Sequence, residues 1–354
     1  MSRSATRLAA IGIATPDVVR QDELWEAFFS GRGPQNRLAQ AAFAGAGVRT
    51  RHAAFDPRSI DVSDWSTERR MEHYVEAAFP LAEAAAARAL ERGAPSEPIG
   101  LLVVASCTGH ATPGLDVLLA DALGLGGDTR RLVIGHLGCH AALPALATAD
   151  DFVTATGRPA LVVSVELSSL HLQPADVPHQ EAVNALFGDA AAAVVLTPAS
   201  GGAEPPALAV LGHNVASDLG AADLMTWQIG SHGFRMGLSR KVPEHVGALS
   251  GPLVDALLAP HGLERRDVAA WAVHPGGPRV LSEVAAALGL GQAALAPSAG
   301  VLAGYGNCSS ATVLIVLDAV THGNLAPGAP VVMVAFGPGL TGYATLLRAG
   351  GTPE

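Results

Sequence analysis

A chain of 354 residues, 49% hydrophobic and 15% charged, carries enough apolar side chain for two domains or one large core. Its formal net charge of −10 argues against a nucleic-acid partner, which would call for a basic face. No apolar run approaches the roughly 20 residues of a membrane span, so no membrane partner is expected.

Taken in chain order, "LAAIGIA" near the N-terminus is too short for a signal peptide and lacks a convincing cleavage site; it reads as a first β-strand. "MEHYVEAAFPLAEAAAARALERG" (71–93) predicts a long amphipathic helix ending at Gly93. "IGLLVVAS" (99–106), "RLVIGH" (131–136), "PALVVSVE" (159–166) and "AAAAVVLT" (190–197) predict buried strands, and "LDVLLADALGL" (115–125) a further helix. "PASGGAEPPA" (198–207) is the strongest linker signal. Beyond it the alternation resumes: the strand "LAVLGH", a helix near 245–260, the strand "AAWAVH", helices near 278–289 and 308–321, then the strands "PVVMVAFG" and "GYATLLR". The pattern predicts an α/β fold of two similar halves, 1–205 and 206–354, with helices on both faces of the sheets.

Three cysteines, Cys107, Cys139 and Cys308, form no CxxC pair. A disulfide framework and a structural zinc site are therefore not expected, and a reducing, cytoplasmic compartment fits better. Cys139 follows a glycine where a strand turns into the run "AALPALATADDFV". A thiol at such a corner lies near free backbone N–H groups, which favour thiolate and make it a nucleophile candidate; the alternative is a small buried hydrophobe. His136 and His140 are nearest in sequence but are placed to point elsewhere. His274 ends a strand before the irregular turn "PGGP", where catalytic groups of α/β proteins gather. Asn307, in "GYGNCSSATVLIVLD", is either a helix N-cap or a side-chain amide donor to an oxyanion. Ser309 and Ser310 start the following helix. "FGPGL" (336–340) contains Gly337, Pro338 and Gly339, and should bring rigid backbone close to another group.

Together "GHLGCHAAL", "NALFGDAAAAVVL", "WAVHPGGPRVL", "GYGNCSSATVLIVLD" and "FGPGLTGYA", in this order, resemble the type III polyketide synthases, the chalcone synthase-like branch of the thiolase superfamily. The resemblance runs from about residue 70 to 347. It implies a thiolase-like five-layer αβαβα fold, a homodimer, and a loop near Thr112, Pro113 and Gly114 that reaches the partner's site. It places the catalytic trio on Cys139, His274 and Asn307 and the gatekeeper on Phe187. His171, Ser231 and Ser309 are expected on the acyl-cavity wall, and Gly337, Pro338 and Gly339 on the substrate side.

The implied reaction loads an acyl-CoA starter on Cys139 as part of an imidazolium–thiolate pair with His274. It extends the chain with malonyl-CoA by repeated decarboxylative condensation, with no metal or redox cofactor. Two relatives in the same fold remain as alternatives: a single-condensation ketoacyl-carrier-protein synthase III, and a non-catalytic thiolase-fold partner subunit. A cysteine hydrolase that forms no carbon–carbon bond is a third. Cys308 replaces the methionine of many plant members, and His140, His171 and Ser231 also depart from the plant pattern. Arg32, Arg37, Arg49 and Arg51 do not line up with the family's basic coenzyme A contacts, which leaves an acyl carrier protein open as the donor.

Overall fold

A computed structural model describes residues 6–30, 36–174, 177, 179–199, 208–323 and 325–350. The strands are β1 (Thr6–Ala14), β2 (Val18–Arg20), β3 (Thr50–His52), β4 (Leu101–Ala105), β5 (Arg130–Ile134), β6 (Ala160–Leu167), β7 (Asp189–Pro198), β8 (Leu208–Ser217), β9 (Met225–Gly230), β10 (Gly233–Leu238), β11 (Ala270–Val273), β12 (Pro330–Gly337) and β13 (Thr341–Ala349). The helices are α1 (Gln21–Leu24), α2 (Asn36–Gly45), α3 (Thr67–Gly93), α4 (Leu115–Ala122), α5 (Ala142–Thr156), α6 (Glu181–Leu186), α7 (Val242–Leu258), α8 (Pro278–Leu288), α9 (Ala296–Tyr305) and α10 (Thr312–Thr321).

Nine strands are hydrogen-bonded in the order β11-β12-β13-β8-β1-β7-β6-β4-β5. The order contains one plan twice. Counted along its own half, the N-terminal set runs third, second, fourth, fifth, first. The C-terminal set repeats that order with the third strand missing among the described residues. The two sets meet only where Thr6, Arg7 and Leu8 of β1 pair with Val210, Ala209 and Leu208 of β8.

The cores give the layers. Helix α3 covers one face of the N-terminal strands, α5 and α10 fill the space between the two sets, and α7 with α8 covers the far face of the C-terminal strands. The result is the expected α/β fold of two similar halves. The boundary expected at 205/206 lies outside the described residues.

Most predicted elements fall within a few residues of the observed ones. The helix at 71–93 begins earlier, at Thr67, where the Ser66 side chain accepts a hydrogen bond from the Arg69 N–H, and it ends at Gly93 as expected. The run 131–136 forms a strand but is not buried. As β5 it is the edge of the sheet, with Leu132 39% and Val133 54% exposed. An apolar run fixes the strand; what covers its outer side is decided elsewhere. The hairpin β9–β10 has no counterpart among the predicted elements.

The alanine content has a packing consequence. Ala78, Ala82, Ala85, Ala86 and Ala89 form the fully buried face of α3, which lets the helix sit close on β1. At Gly12 of β1 an added Cβ would lie 2.1 Å from the Ala85 carbonyl oxygen and 2.5 Å from the Ala89 nitrogen. Both are backbone atoms, so the helix itself must move. Gly12→Ala should therefore destabilise the chain by about 1–3 kcal/mol in urea unfolding at unchanged m-value. A neutral substitution would show that this contact is not tight.

Candidate active site

The corner predicted at Cys139 is present. After β5 the chain turns through Gly138, at φ +69°, into a single 3₁₀ turn, Gly138–His140, and on into α5. The Gly138 N–H donates to Cys107 Sγ at 3.0 Å, which pins the turn. An added Cβ on Gly138 would meet Pro338 Cδ at 2.6 Å, so "FGPGL" does bring backbone close, onto the nucleophile turn. At Gly337 a Cβ would stand 2.2 Å from His140 Nδ1. Of the three residues expected on the substrate side, Gly337 packs on the turn, Gly339 at φ +126° faces only Thr341, and Pro338 lines a cavity near Cys139.

His274 follows β11 directly, its N–H donating to the Val334 carbonyl at 2.8 Å. Asn307 lies just past the end of α9, after Gly306 at φ +71°. Its N–H donates to the Leu186 carbonyl at 2.8 Å, and the Gly188 N–H donates to the Asn307 carbonyl at 3.0 Å, forming a parallel bridge between Phe187 and Asn307. The Asn307 side chain answers the question its sequence context raised. Oδ1 accepts from the Ser309 N–H at 2.9 Å and from Thr312 Oγ1 at 3.5 Å, which is the capping role. Oδ1 and Nδ2 both lie 3.9 Å from Cys139 Sγ, one as acceptor from the thiol and one as donor to it. The oxygen caps the turn, and the whole amide edge, oxygen and nitrogen, faces the thiol.

Cys139, His274, Asn307 and Phe187 line one cavity of about 300 Å³, whose far wall includes Ala41 and Gly45 of α2. Phe187 also lines two smaller spaces of about 30 Å³ each, room for one or two waters. Ser309 and Cys139 border one of these, His171 the other.

His171 is a fixed piece of wall. The Phe234 N–H donates to its Nδ1 at 3.0 Å, its Nε2 is 2.6 Å from the Thr108 carbonyl, and its ring stacks on Phe234 at 4.3 Å. Ser231, expected on the cavity wall, is not there. It is exposed at the tip of the β9–β10 hairpin, with its carbonyl accepting the Thr67 N–H. The wall side chains come from the strands of that hairpin: Met225, Trp227 and Met236. Strand alternation turns these inward and leaves the turn outside. Arg37 and Arg49 are exposed, Arg51 is buried, and Arg32 lies outside the described residues.

Burial dominates the electrostatics. It pushes the Cys139 thiol up to about 12, against hydrogen bonds from Ser309 and Asn307 that favour thiolate; the nearby Glu166 carboxyl adds to the rise. It pulls His274 down to about 3, with the neighbouring His140 pulling the same way. Burial thus works against the imidazolium–thiolate pair that the resemblance implies. The short 3₁₀ turn does not compensate for the loss of water. Both ring nitrogens of His274 lack a hydrogen-bond partner in the free protein.

A carboxyl that sequence patterning missed lies behind the site. Glu166 accepts from the Cys107 N–H, Thr108 Oγ1 and Ser310 Oγ, and burial raises its pKa. In sequence it is only one polar residue in a strand otherwise read as buried. Among the described residues no group of three His, Cys, Asp or Glu is placed to hold a metal ion.

Models of the chalcone and stilbene synthase N-terminal and C-terminal domains match residues 1–201 and 220–350. The chain belongs to the chalcone and stilbene synthase family. It is 37% identical over 326 residues to a 1,3,6,8-tetrahydroxynaphthalene synthase of Streptomyces peucetius subsp. caesius, covering 89% of this chain and 85% of that one. It is 33% identical over 306 residues to the alpha-pyrone synthesis polyketide synthase-like Pks18 of Mycobacterium tuberculosis, covering 83% and 78%. Among solved structures, PKS-I of the brown alga Ectocarpus siliculosus superposes with a TM-score of 0.92 at 30% identity over 99% of both chains. These relatives make the chain a chalcone synthase-like type III polyketide synthase on a thiolase-like fold, and the single-condensation and non-catalytic readings are not favoured.

His140 gives a titration that can be tested. Burial holds its folded-state pKa at about 4, below the ordinary 6.5. The neutral ring is therefore fully tolerated above the ordinary value, and stability is lost as pH falls toward 4. His140→Phe removes that titration. The unfolding free energy of the wild type minus that of His140→Phe should fall by about 1.4 kcal/mol per pH unit between about pH 6 and about pH 4. A pH-independent difference would contradict a buried neutral imidazole.

Proposed function

We propose that this polyketide synthase is an acyltransferase that loads an acyl starter on Cys139 and extends it with malonyl-CoA by repeated decarboxylative condensation. The observation that carries the reading is the Asn307 amide, fixed by the Ser309 N–H with its Oδ1 and Nδ2 each 3.9 Å from the Cys139 thiol. As Cys139 Sγ attacks the starter thioester, its proton passes to His274. The departing coenzyme A thiolate takes that proton back, leaving the acyl group on sulfur. Malonyl-CoA then binds with its thioester oxygen between His274 and Asn307 Nδ2. Loss of CO₂ leaves an enolate whose negative oxygen those donors stabilise. The enolate carbon attacks the acyl-cysteine carbonyl and the carbon–sulfur bond breaks, so that Cys139 leaves as a thiolate and takes up a proton; the product is a β-ketoacyl-CoA longer by one acetate unit, which reloads Cys139 for the next round.

The desolvation that disfavours charge on Cys139 and His274 also strengthens these hydrogen bonds once charge develops. We further read Phe187 as the gate between the entry cavity and the smaller spaces, because it borders all three.

The open edge of β5 supports a homodimer. Leu132, Val133 and Val117 are exposed there, next to the Thr112–Gly114 loop, which would reach the partner's site. The entry cavity is bordered by Arg240 and Arg279, both exposed. They suit the phosphates of coenzyme A, and of an acyl carrier protein's prosthetic arm equally. Three free thiols support a cytoplasmic setting.

Asn307→Ala tests the reading. Loss of one oxyanion donor costs roughly 10²–10³ in rate, and loss of a cap about 1 kcal/mol of stability. The variant should lose malonyl-CoA decarboxylation by that factor, followed as CO₂ release, with only a modest fall in melting temperature. Near-normal turnover in a destabilised variant would leave Asn307 as a cap alone. A wild type that consumes no malonyl-CoA with any of a panel of starter thioesters would overturn the reading itself.

A further inference from the structure

Arg51, like Arg70 in the same half, is a buried cation, and its contacts converge on one short segment. Its Nη1 donates to the Asn184 carbonyl at 2.8 Å and the Phe187 carbonyl at 2.6 Å, and its Nη2 to the Ala185 carbonyl at 2.5 Å. Nη2 also donates to Gln21 Oε1, while Gln21 Nε2 donates to the same Ala185 carbonyl at 2.9 Å. Three carbonyls at the end of α6 are thus gathered by one planar fork, a geometry that suits arginine and not lysine.

The nearest carboxylate, Asp189, is instead held by the Ala54 N–H, the Ser169 N–H and Ser169 Oγ. Burial lowers the guanidinium to about 10, against the pull of Asp189, so it stays charged at neutral pH. The backbone closes around its stem. An added Cβ on Gly188 would lie 3.2 Å from Arg51 Cβ, and one on Gly306 would lie 3.5 Å from it. Those glycines flank the two ends of the Phe187–Asn307 bridge.

We propose that Arg51 is a positioning residue for both steps of the reaction. By fixing the 184–187 backbone it holds the Phe187 ring as a partition between the cavities. Through the bridge it also holds the Asn307 amide on Cys139. The inference rests on Phe187 as gate and Asn307 as donor. It differs from the coenzyme A contact that a basic residue in this stretch would suggest, since the guanidinium is sealed beneath the gate.

The test uses Arg51→Lys and Gln21→Leu, each checked for folding by circular dichroism and melting temperature. Gln21→Leu takes away one guanidinium acceptor while leaving Arg51 in place. Alkylation rates of Cys139 by iodoacetamide and by a bulky N-aryl maleimide, mapped by peptide mass, report the gate without any turnover. Malonyl-CoA decarboxylation reports the donor. In Arg51→Lys the bulky-to-small rate ratio should rise about tenfold, and kcat for decarboxylation should fall by roughly 10²-fold with a smaller change in KM, as expected for a displaced catalytic group. Gln21→Leu should move both in the same direction by less.

A folded Arg51→Lys in which either quantity keeps its wild-type value overturns the proposal. If that chain does not fold, the same result in Gln21→Leu overturns it. If the wild type consumes no malonyl-CoA, the functional reading fails separately, and the labelling ratio alone decides whether Arg51 holds the gate.

Discussion

The backbone bridge between Phe187 and Asn307 is the constraint on which the site depends. The Cys139 thiol and the Phe187 ring belong to the N-terminal half, the imidazole and the amide to the C-terminal half. Two main-chain hydrogen bonds, one to the Leu186 carbonyl and one from the Gly188 N–H, set the distance between them. Gly188 and Gly306 permit the approach, since a Cβ on Gly188 would meet the Tyr305 carbonyl at 2.4 Å and one on Gly306 the Leu186 carbonyl at 2.8 Å. A site assembled across two halves is only as well placed as that junction. Packing alone, with its freedom to slide, would hold it less closely than paired backbone groups do.

The same enclosure accounts for the electrostatics. Cys139, His274 and Asn307 are each under 8% exposed, so every charge formed there lacks water. Burial favours the neutral thiol and the neutral imidazole, and both His274 nitrogens lack a hydrogen-bond partner. Unpaired buried polar groups cost stability, and they are ready-made donors and acceptors for a substrate that carries or develops charge.

Legibility in the sequence followed the range of the interactions. Cys139, His274 and Asn307 could be picked out because each sits where an apolar run meets glycine or proline, a local signal for a chain reversal at a strand or helix end. The helix at 71–93 and the strands at 159–166 and 190–197 were equally local. The exposure of β5 was not legible, because Leu132 and Val133 look the same whether a helix or nothing in this chain covers them. Ser231 was misplaced because its side depends on the register of the β9–β10 hairpin, which no run in the sequence announced. The contacts of Arg51 span 133 residues to Asn184 and 136 to Phe187, so nothing near it in the chain reveals them. Glu166 was hidden for the opposite reason: a single acid in an apolar strand carries no pattern at all.

The central claim is that one thiol, Cys139, receives the acyl group at this junction, while Cys107 and Cys308 stay structural. The most direct measurement is peptide mass mapping after incubation of the intact protein with an acyl-CoA. The expected result is a single acyl adduct on Cys139, absent in Cys139→Ala. An adduct on Cys107 or Cys308 with Cys139 unmodified would contradict it.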